Sequence, residues 1–462
     1  MVERFLSNIQ RTIERYRMVQ PEDKVLIAVS GGPDSMALLT ALKQLQNCLK
    51  ISLSAAYYNH RLRGEESETE AEFVRAEVEK SGVPLIAEDD DGGLLAHQSN
   101  VEEAARKKRH AFFRRAALET GAQKIALGHT ADDQAETFFL WLFRGAGMRG
   151  LAGIPPVRDD LFIRPLIETW RAEILKFLGS ENIPWIEDSS NLMTRYLRNR
   201  IRHSLLPKLS RELGDRFSEN ILKMTHILRD DDTFLEEVSY KHYQQLRNVD
   251  RGEGVVLSVS GVSELPTALQ RRVIRHAIRE VNGSLKRINF AHAAAIMAMI
   301  KSDAPNQRVS LPDGLVAAKE YDRLLIGTLY IRKVNFRYEY MSLPKEMILT
   351  EIDRKIAVEL LDRGKDGLPA GESSAALIDF DALRFPVIVR NWMEGDRFQP
   401  LGMKGMKKVK DFFIDRKLPL RERGRVPIVL FGDRIVWIGG QRIDDRVKVT
   451  EGTRMVIRLR LV

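Results

Sequence analysis

At 462 residues the chain is too long for one ordinary core, so two to four domains are expected. With 44% hydrophobic and 30% charged residues it is globular rather than disordered, and its one cysteine, Cys48, excludes a disulfide framework and a Cys-rich zinc site. A net charge of +9 suits a polyanionic partner without requiring one. The opening stretch "MVERFLSNIQRTIERYRMV" carries charges at helical spacing and no apolar signal core, and no run is long enough to span a bilayer. A cytoplasmic protein with no membrane association is expected.

"KVLIAV", from Lys24 to Val29, reads as a short buried strand, and "MALLTALKQL" as a helix with an apolar face. Between them stands "SGGPDS", Ser30 to Ser35. A strand, a glycine-rich turn and a helix N-terminus together form an anion site, because free amides and the helix dipole point at one spot. "ISLSAAYYN", "PLIAE" and "KIALGH" continue as strands, alternating with helical stretches such as "VEEAARKKRHAFFRRAALETG". That alternation predicts an α/β fold with an N-terminal Rossmann-like parallel sheet over residues 1–211 and ligands at the carboxyl ends of its strands. From about Glu212 the pattern turns mostly helical, with "RVSLPDGLVAAKEYDRLLIG" as a small hairpin, to about 344. "PVIVRNW", "VPIVLFGDRIVWIGG" and "RMVIRLRLV" then predict a small α+β C-terminal domain over 345–462.

"SGGPDS" has no lysine, unlike the usual triphosphate loop. Its built-in aspartate fits a metal-assisted loop: Asp34 would help hold Mg²⁺, and Ser30, Gly31, Gly32 and Ser35 would hold pyrophosphate oxygens. "GHTADDQAET" offers Asp133 and Glu136 three apart on one helical face. Paired carboxylates can hold an ammonium group and accept its proton, and they can equally be an N-terminal cap cluster. Phe138, Trp141 and Phe143 read as core.

"SGGPDS" after an apolar strand resembles the pyrophosphate loop (PP-loop) of the N-type ATP pyrophosphatases. "NHRLRGEES", "VEEAARKKRHAFF", "GHTADDQAET", "FRGAGMRGLAGI", "EDSSN…RNRIRHSLLPKL" and the tail "GDRFQPLGMKGMKKVKDFFIDRKLPLRERGRVPIV" follow in order, and together resemble the bacterial tRNA(Ile)-lysidine synthetases. The resemblance covers most of the chain and is thinnest between about 216 and 345. It implies a ligase that adenylates the wobble cytidine of the minor isoleucine tRNA (anticodon CAU) with ATP. The ε-amine of free L-lysine then displaces AMP, changing the tRNA's identity from methionine to isoleucine.

Carried onto this sequence, the resemblance implies nucleotide contacts along Ser30–Ser35, Pro33 included, and near His60. It implies lysine contacts at Asp133 and Glu136, and catalytic roles for Asp34, Arg106, Asp133 and Glu136. Arg106 and Arg109 match the two arginines of that family's A-R-x-x-R motif, and Arg109 is expected to grip RNA. Further tRNA contacts are expected at Arg195, Asn199, Arg200 and Arg202, in a stretch with no acidic residue between Asp188 and Glu212. The second cluster, Lys404 to Arg425, has nine basic residues against three acidic ones, and Lys404, Lys407, Lys408, Lys410, Arg421 and Arg423 are expected on tRNA. A homodimer fits the family. Three other readings compete: a tRNA thiolase, which the lone Cys48 argues against; an amidotransferase-type synthetase, which would not need the basic tail; and a non-catalytic RNA-binding protein.

Overall fold

The computed structural model describes residues 1–61, 65–90, 101–186, 197–214, 216–250, 254–328, 334–363, 375–381 and 383–462. Arg195 and the Arg421 side chain lie outside the described residues. The first helix, α1 (Val2–Arg15), leads to β1 (Lys24–Ala28), α2 (Pro33–Leu49), β2 (Ser52–Asn59), α3 (Glu65–Ser81), β3 (Leu85–Asp89), α4 (Val101–Thr120), β4 (Lys124–Ala126) and α5 (Ala131–Phe143). A short α6 (Met148–Leu151), β5 (Val157–Arg158), β6 (Phe162–Ile163) and α7 (Arg171–Ser180) complete the α/β pattern.

The strands form one sheet in the order β3-β2-β1-β4-β6-β5, parallel except for β5 against β6. Alternation along β1 explains the two covered faces. Val25 and Ile27 enter a core with α1, α2 and α7, whereas Leu26 enters a core with Phe112, Phe113 and Ala116 of α4. Both faces are covered, and because β1 and β4 are parallel neighbours the loops that follow them lie side by side at the carboxyl ends of the strands.

Contacts divide the chain into two units, Met1–Leu235 and Glu236–Val462. The division falls inside the long helix Arg216–Leu246. In the second unit the expected hairpin is present as Val316–Glu320 against Arg323–Gly327, but it is the centre of a five-stranded antiparallel sheet. The added strands are five residues or shorter, and their pattern is hidden by the helices around them. The helices Thr267–Asn282 and Phe290–Lys301 share one core with this sheet. The C-terminal part packs a five-stranded sheet on a four-stranded one through Val387, Val389, Val429, Ile378 and Ile457. The helix Val409–Asp415 covers the outer face of the five-stranded sheet with Phe412 and Phe413. Among the described residues no helix is long and apolar enough to cross a membrane.

Candidate active site

The loop after β1 turns sharply at Gly31, whose φ is +76°. A Cβ there would also stand 3.0 Å from Val74 Cγ2. Gly31→Ala is therefore expected to cost about 1–2 kcal/mol of stability and to weaken ATP binding, because the left-handed backbone strains any other residue. Urea unfolding and an ATP titration check this; unchanged ATP affinity would remove the loop from the nucleotide site. Gly32 is the N-cap of α2, with Pro33 beginning the helix. Ser35 Oγ accepts from the Ser30 amide at 3.1 Å and donates to Gly32 O at 2.9 Å, so the hydroxyl braces the loop internally.

Asp34 stands on the first turn of α2. Its Oδ2 is 3.4 Å from Arg171 Nη1, and its Oδ1 is buried with no hydrogen-bond partner. Burial pushes its pKa up to about 6; Arg171 opposes the shift, and Asp133 and Asp132 add to it. A half-paired buried carboxylate beside a phosphate loop fits a hard cation whose remaining ligands are phosphate and water. Among the described residues there is no cluster of three side chains that would hold a metal alone.

The loop after β4 abuts this turn: a Cβ on Gly128 would lie 3.3 Å from the Asp34 carbonyl. Thr130 caps α5, and Asp133 completes the capping box by accepting from the Thr130 amide at 2.9 Å. The cap reading of Asp133 is thus realised, but only by Oδ2. Its Oδ1 faces Arg198 Nη2 at 2.7 Å and Arg202 Nη2 at 3.3 Å. Glu136 is 1% exposed and receives Arg198 Nε at 2.9 Å and Arg202 through both Nε and Nη2. Arg198 and Arg202 stand four apart across the junction of a short helix, Leu197–Arg200, with a π-helical turn, Ile201–Leu205, and so share a face. Burial opposes the charge on Asp133, yet Arg198, His129 and the Thr130 amide hold its pKa below the usual carboxylate range. Asp132 does different work: its Oδ2 accepts from the Arg171 amide at 2.8 Å and ties α7 to α5.

Other expected residues separate into those at the surface and those turned inward. Arg106 and Arg109 are exposed on α4, Arg200 is exposed, and Asn199 is half-buried. His60 is half-buried with its Nδ1 unpartnered, and burial together with Arg109 lowers its pKa to about 4, so it is neutral at pH 7. Lys404, Lys408 and Lys410 are exposed, while Lys407 pairs with Asp415. Arg202 is spent on the carboxylates, and Arg423 is buried, donating to Leu418 O at 3.0 Å. Trp141 and Phe143, expected in the core, are 38% and 56% exposed; Phe139 takes the core position instead, because the buried face of α5 runs through 135, 136 and 139.

Sequence reasoning missed Arg171 as the partner of Asp34 and Arg198 as a partner of both carboxylates. The only signal for Arg198 was its four-residue spacing from Arg202.

Comparison with known proteins gives this geometry a family. Residues 2–209 match a PP-loop domain, 257–325 a TilS substrate binding domain, and 387–461 a TilS substrate C-terminal domain. A tRNA(Ile)-lysidine synthase of Caldanaerobacter subterraneus is 33% identical over 456 residues, covering 98% of this chain and 96% of that protein. Those of Geobacter sulfurreducens and Dehalococcoides mccartyi are each 34% identical, covering 99% and 98% of this chain and 98% of each relative. With one residue in three shared along nearly the whole length of both partners, the chain belongs to the tRNA(Ile)-lysidine synthase family.

Proposed function

We propose that the chain joins free L-lysine to the wobble cytidine of tRNA(Ile) in two steps at the carboxyl ends of β1 and β4. The cytidine carbonyl oxygen attacks the α-phosphorus of ATP, and pyrophosphate leaves. The lysine ε-amine then attacks the ring carbon, the C–O bond breaks, AMP leaves, and the amine gives up a proton. The observation that carries the reading is the contact of two loops: the glycine-rich turn bearing Asp34 abuts the turn that leads to Asp133 and Glu136.

The turn at 30–35 grips the outgoing pyrophosphate with amides and the α2 dipole. Asp34 Oδ1 would hold Mg²⁺, which when bound offsets charge on the phosphates. Asp133 and Glu136 receive the lysine ammonium, and Glu136 is the better proton acceptor because its Oε1 retains a lone pair beyond the one Arg202 occupies. Arg106 and Arg109 are exposed on α4, and in this reading their guanidinium groups meet phosphate charge. Lys404, Lys408 and Lys410 supply charge for the tRNA backbone.

Pyrophosphate release from ATP tests the reading. Release is expected only with the isoleucine tRNA present, and AMP release only when lysine is added. Pyrophosphate release that ignores the tRNA would point to another PP-loop synthetase, and none at all to a binding protein.

A further inference from the structure

The turn at 30–35 has no lysine, so the cation that a triphosphate loop normally gives to the outer phosphates has to come from elsewhere in the chain. The structure brings one there. Arg171, 137 positions from Asp34, stands with its Nη1 3.4 Å from Asp34 Oδ2. Among the described residues it is the one cation within ion-pair distance of the turn.

The helix that carries it is built onto the turn. The start of α7 is tied to α5: the Arg171 amide donates to Asp132 Oδ2 at 2.8 Å, and the Ala131 amide donates to Thr169 O at 3.0 Å. Past the far end of α7, the Ile186 amide donates to Gly31 O at 2.9 Å. The amino ends of α2, α5 and α7 are thus gathered around Asp34.

Nothing in α7 itself calls for an arginine at this place. Arg171 is the first residue of the helix, after Trp170 as N-cap, and a cation at that end opposes the helix dipole. The first turn already has its favoured acid in Glu173, which accepts from the Trp170 amide at 3.1 Å. Asp34 does not account for the guanidinium either. A charge-assisted hydrogen bond to a carboxylate runs at about 2.7–2.9 Å, well short of the 3.4 Å found here. The fork carries several N–H donors, and among the described residues this long contact is the only use the side chain makes of them. The Arg171 side chain is 34% exposed and that of Asp34 25%, so a ligand can reach both. A loosely paired guanidinium, set against a dipole and beside a phosphate loop that lacks its own cation, is completed by phosphate oxygens.

We propose that Arg171 binds the pyrophosphate end of ATP and is a catalytic residue of the adenylation step. The proposal deepens the proposed function and rests on its placing of pyrophosphate at the turn 30–35. In that step the bond from the cytidine oxygen to the α-phosphorus forms. The bond from that phosphorus to the bridging oxygen breaks, and its electron pair stays on pyrophosphate. Arg171 meets the charge that builds there and transfers no proton, since a guanidinium stays charged. Its long contact with Asp34 gives way to a forked one with phosphate oxygens, which leaves the aspartate to the cation.

The test uses the full chain with Arg171→Met and Arg171→Lys, and calorimetry with pyrophosphate plus Mg²⁺ and, separately, with AMP. Arg171→Met is expected to lower pyrophosphate affinity about tenfold and to leave AMP affinity within about twofold. Pyrophosphate release from ATP with the isoleucine tRNA should slow by about 10²-fold. Lysine transfer to tRNA that the parent has already adenylated should run at the parent's rate, because pyrophosphate has left by then. Arg171→Lys, which keeps the charge and loses the fork, should fall between the methionine variant and the parent in both pyrophosphate readings. A counter-ion of Asp34 with no ligand of its own would behave otherwise. The methionine variant would then melt lower, slow both half-reactions together and bind pyrophosphate as the parent does. That result, or parental pyrophosphate affinity in the lysine variant where the methionine one does not fold, overturns the proposal alone. A parent that binds no pyrophosphate would instead remove the turn from its assigned role, and Arg171 with it.

Discussion

Replacing Asp34 with asparagine is expected to stop adenylation and, at the same time, to make the ligand-free protein more stable above pH 6. Both effects come from one half-paired carboxylate. Its folded pKa is raised from 3.8 to about 6 by burial, so the folded state favours the protonated form. Below pH 4 both folded and unfolded states carry the proton, and the side chain contributes nothing to the pH dependence. Between about pH 4 and 6 the unfolded chain releases it and the folded chain does not, so stability falls as pH rises. Above pH 6 the full penalty stands. Asparagine has no such penalty, so its advantage should grow across that window and then level off at about 1–3 kcal/mol. Urea unfolding at pH 4, 5 and 8 reads this directly. Nucleotide with Mg²⁺ should reverse the order of the two proteins, since only the aspartate gains a partner. Pyrophosphate release should fall by about 10²–10³, the scale of losing one charge that acts on the transition state. Affinity for tRNA should stay within about twofold, because the lysines proposed to meet the tRNA backbone are untouched. Normal adenylation by the variant, or equal stability at pH 8, would remove Asp34 from the metal role.

The parts of this fold that local pattern dictates were legible in the sequence. β1 is apolar from Val25 to Ala28, with no polar residue interleaved, because both faces are covered, and it is bounded by the glycine turn; α5 begins at a threonine with aspartate three residues on. The pairing of Asp133 with Glu136 follows from the helical period. What was not legible lies across long sequence gaps. Arg171 reaches Asp34 over 137 positions, and Arg198 reaches Glu136 over 62. No local propensity encodes such a contact; it exists because the parallel sheet brings strand ends together. The same limit explains the C-terminal charge cluster. Nine basic residues read as one surface, yet Lys407 is paired and Arg423 is buried, which only packing decides. It explains the middle region too, where a visible hairpin stood for a sheet whose other strands are too short to announce themselves.

Glu136→Gln carries the second large effect, and a double variant separates its two causes. The glutamate lies under Arg198 and Arg202, and both guanidinium groups also meet Asp133 Oδ1. Removing its charge leaves two arginines sharing one carboxylate. A fully buried broken pair costs about 3–5 kcal/mol; these arginines are part-exposed, so about 2–3 kcal/mol is expected. Lysine transfer should suffer beyond that loss. As the network stands, Asp133 Oδ1 already accepts from two guanidinium groups and Oδ2 from the Thr130 amide. An incoming ammonium must therefore use the remaining lone pair of Glu136 Oε1 or displace an arginine. Glutamine leaves an oxygen but no charge, so the KM for lysine should rise and AMP release should slow, while pyrophosphate release changes much less. Adding Arg202→Gln to Glu136→Gln rebalances the buried charge and should recover most of the stability. It should not recover lysine transfer, because the acceptor is still missing. Urea unfolding and separate assays of the two half-reactions distinguish these outcomes. Recovery of lysine transfer along with stability would mean that Glu136 acts only by holding its arginines, and equal loss of both half-reactions in the single variant would remove it from the lysine site.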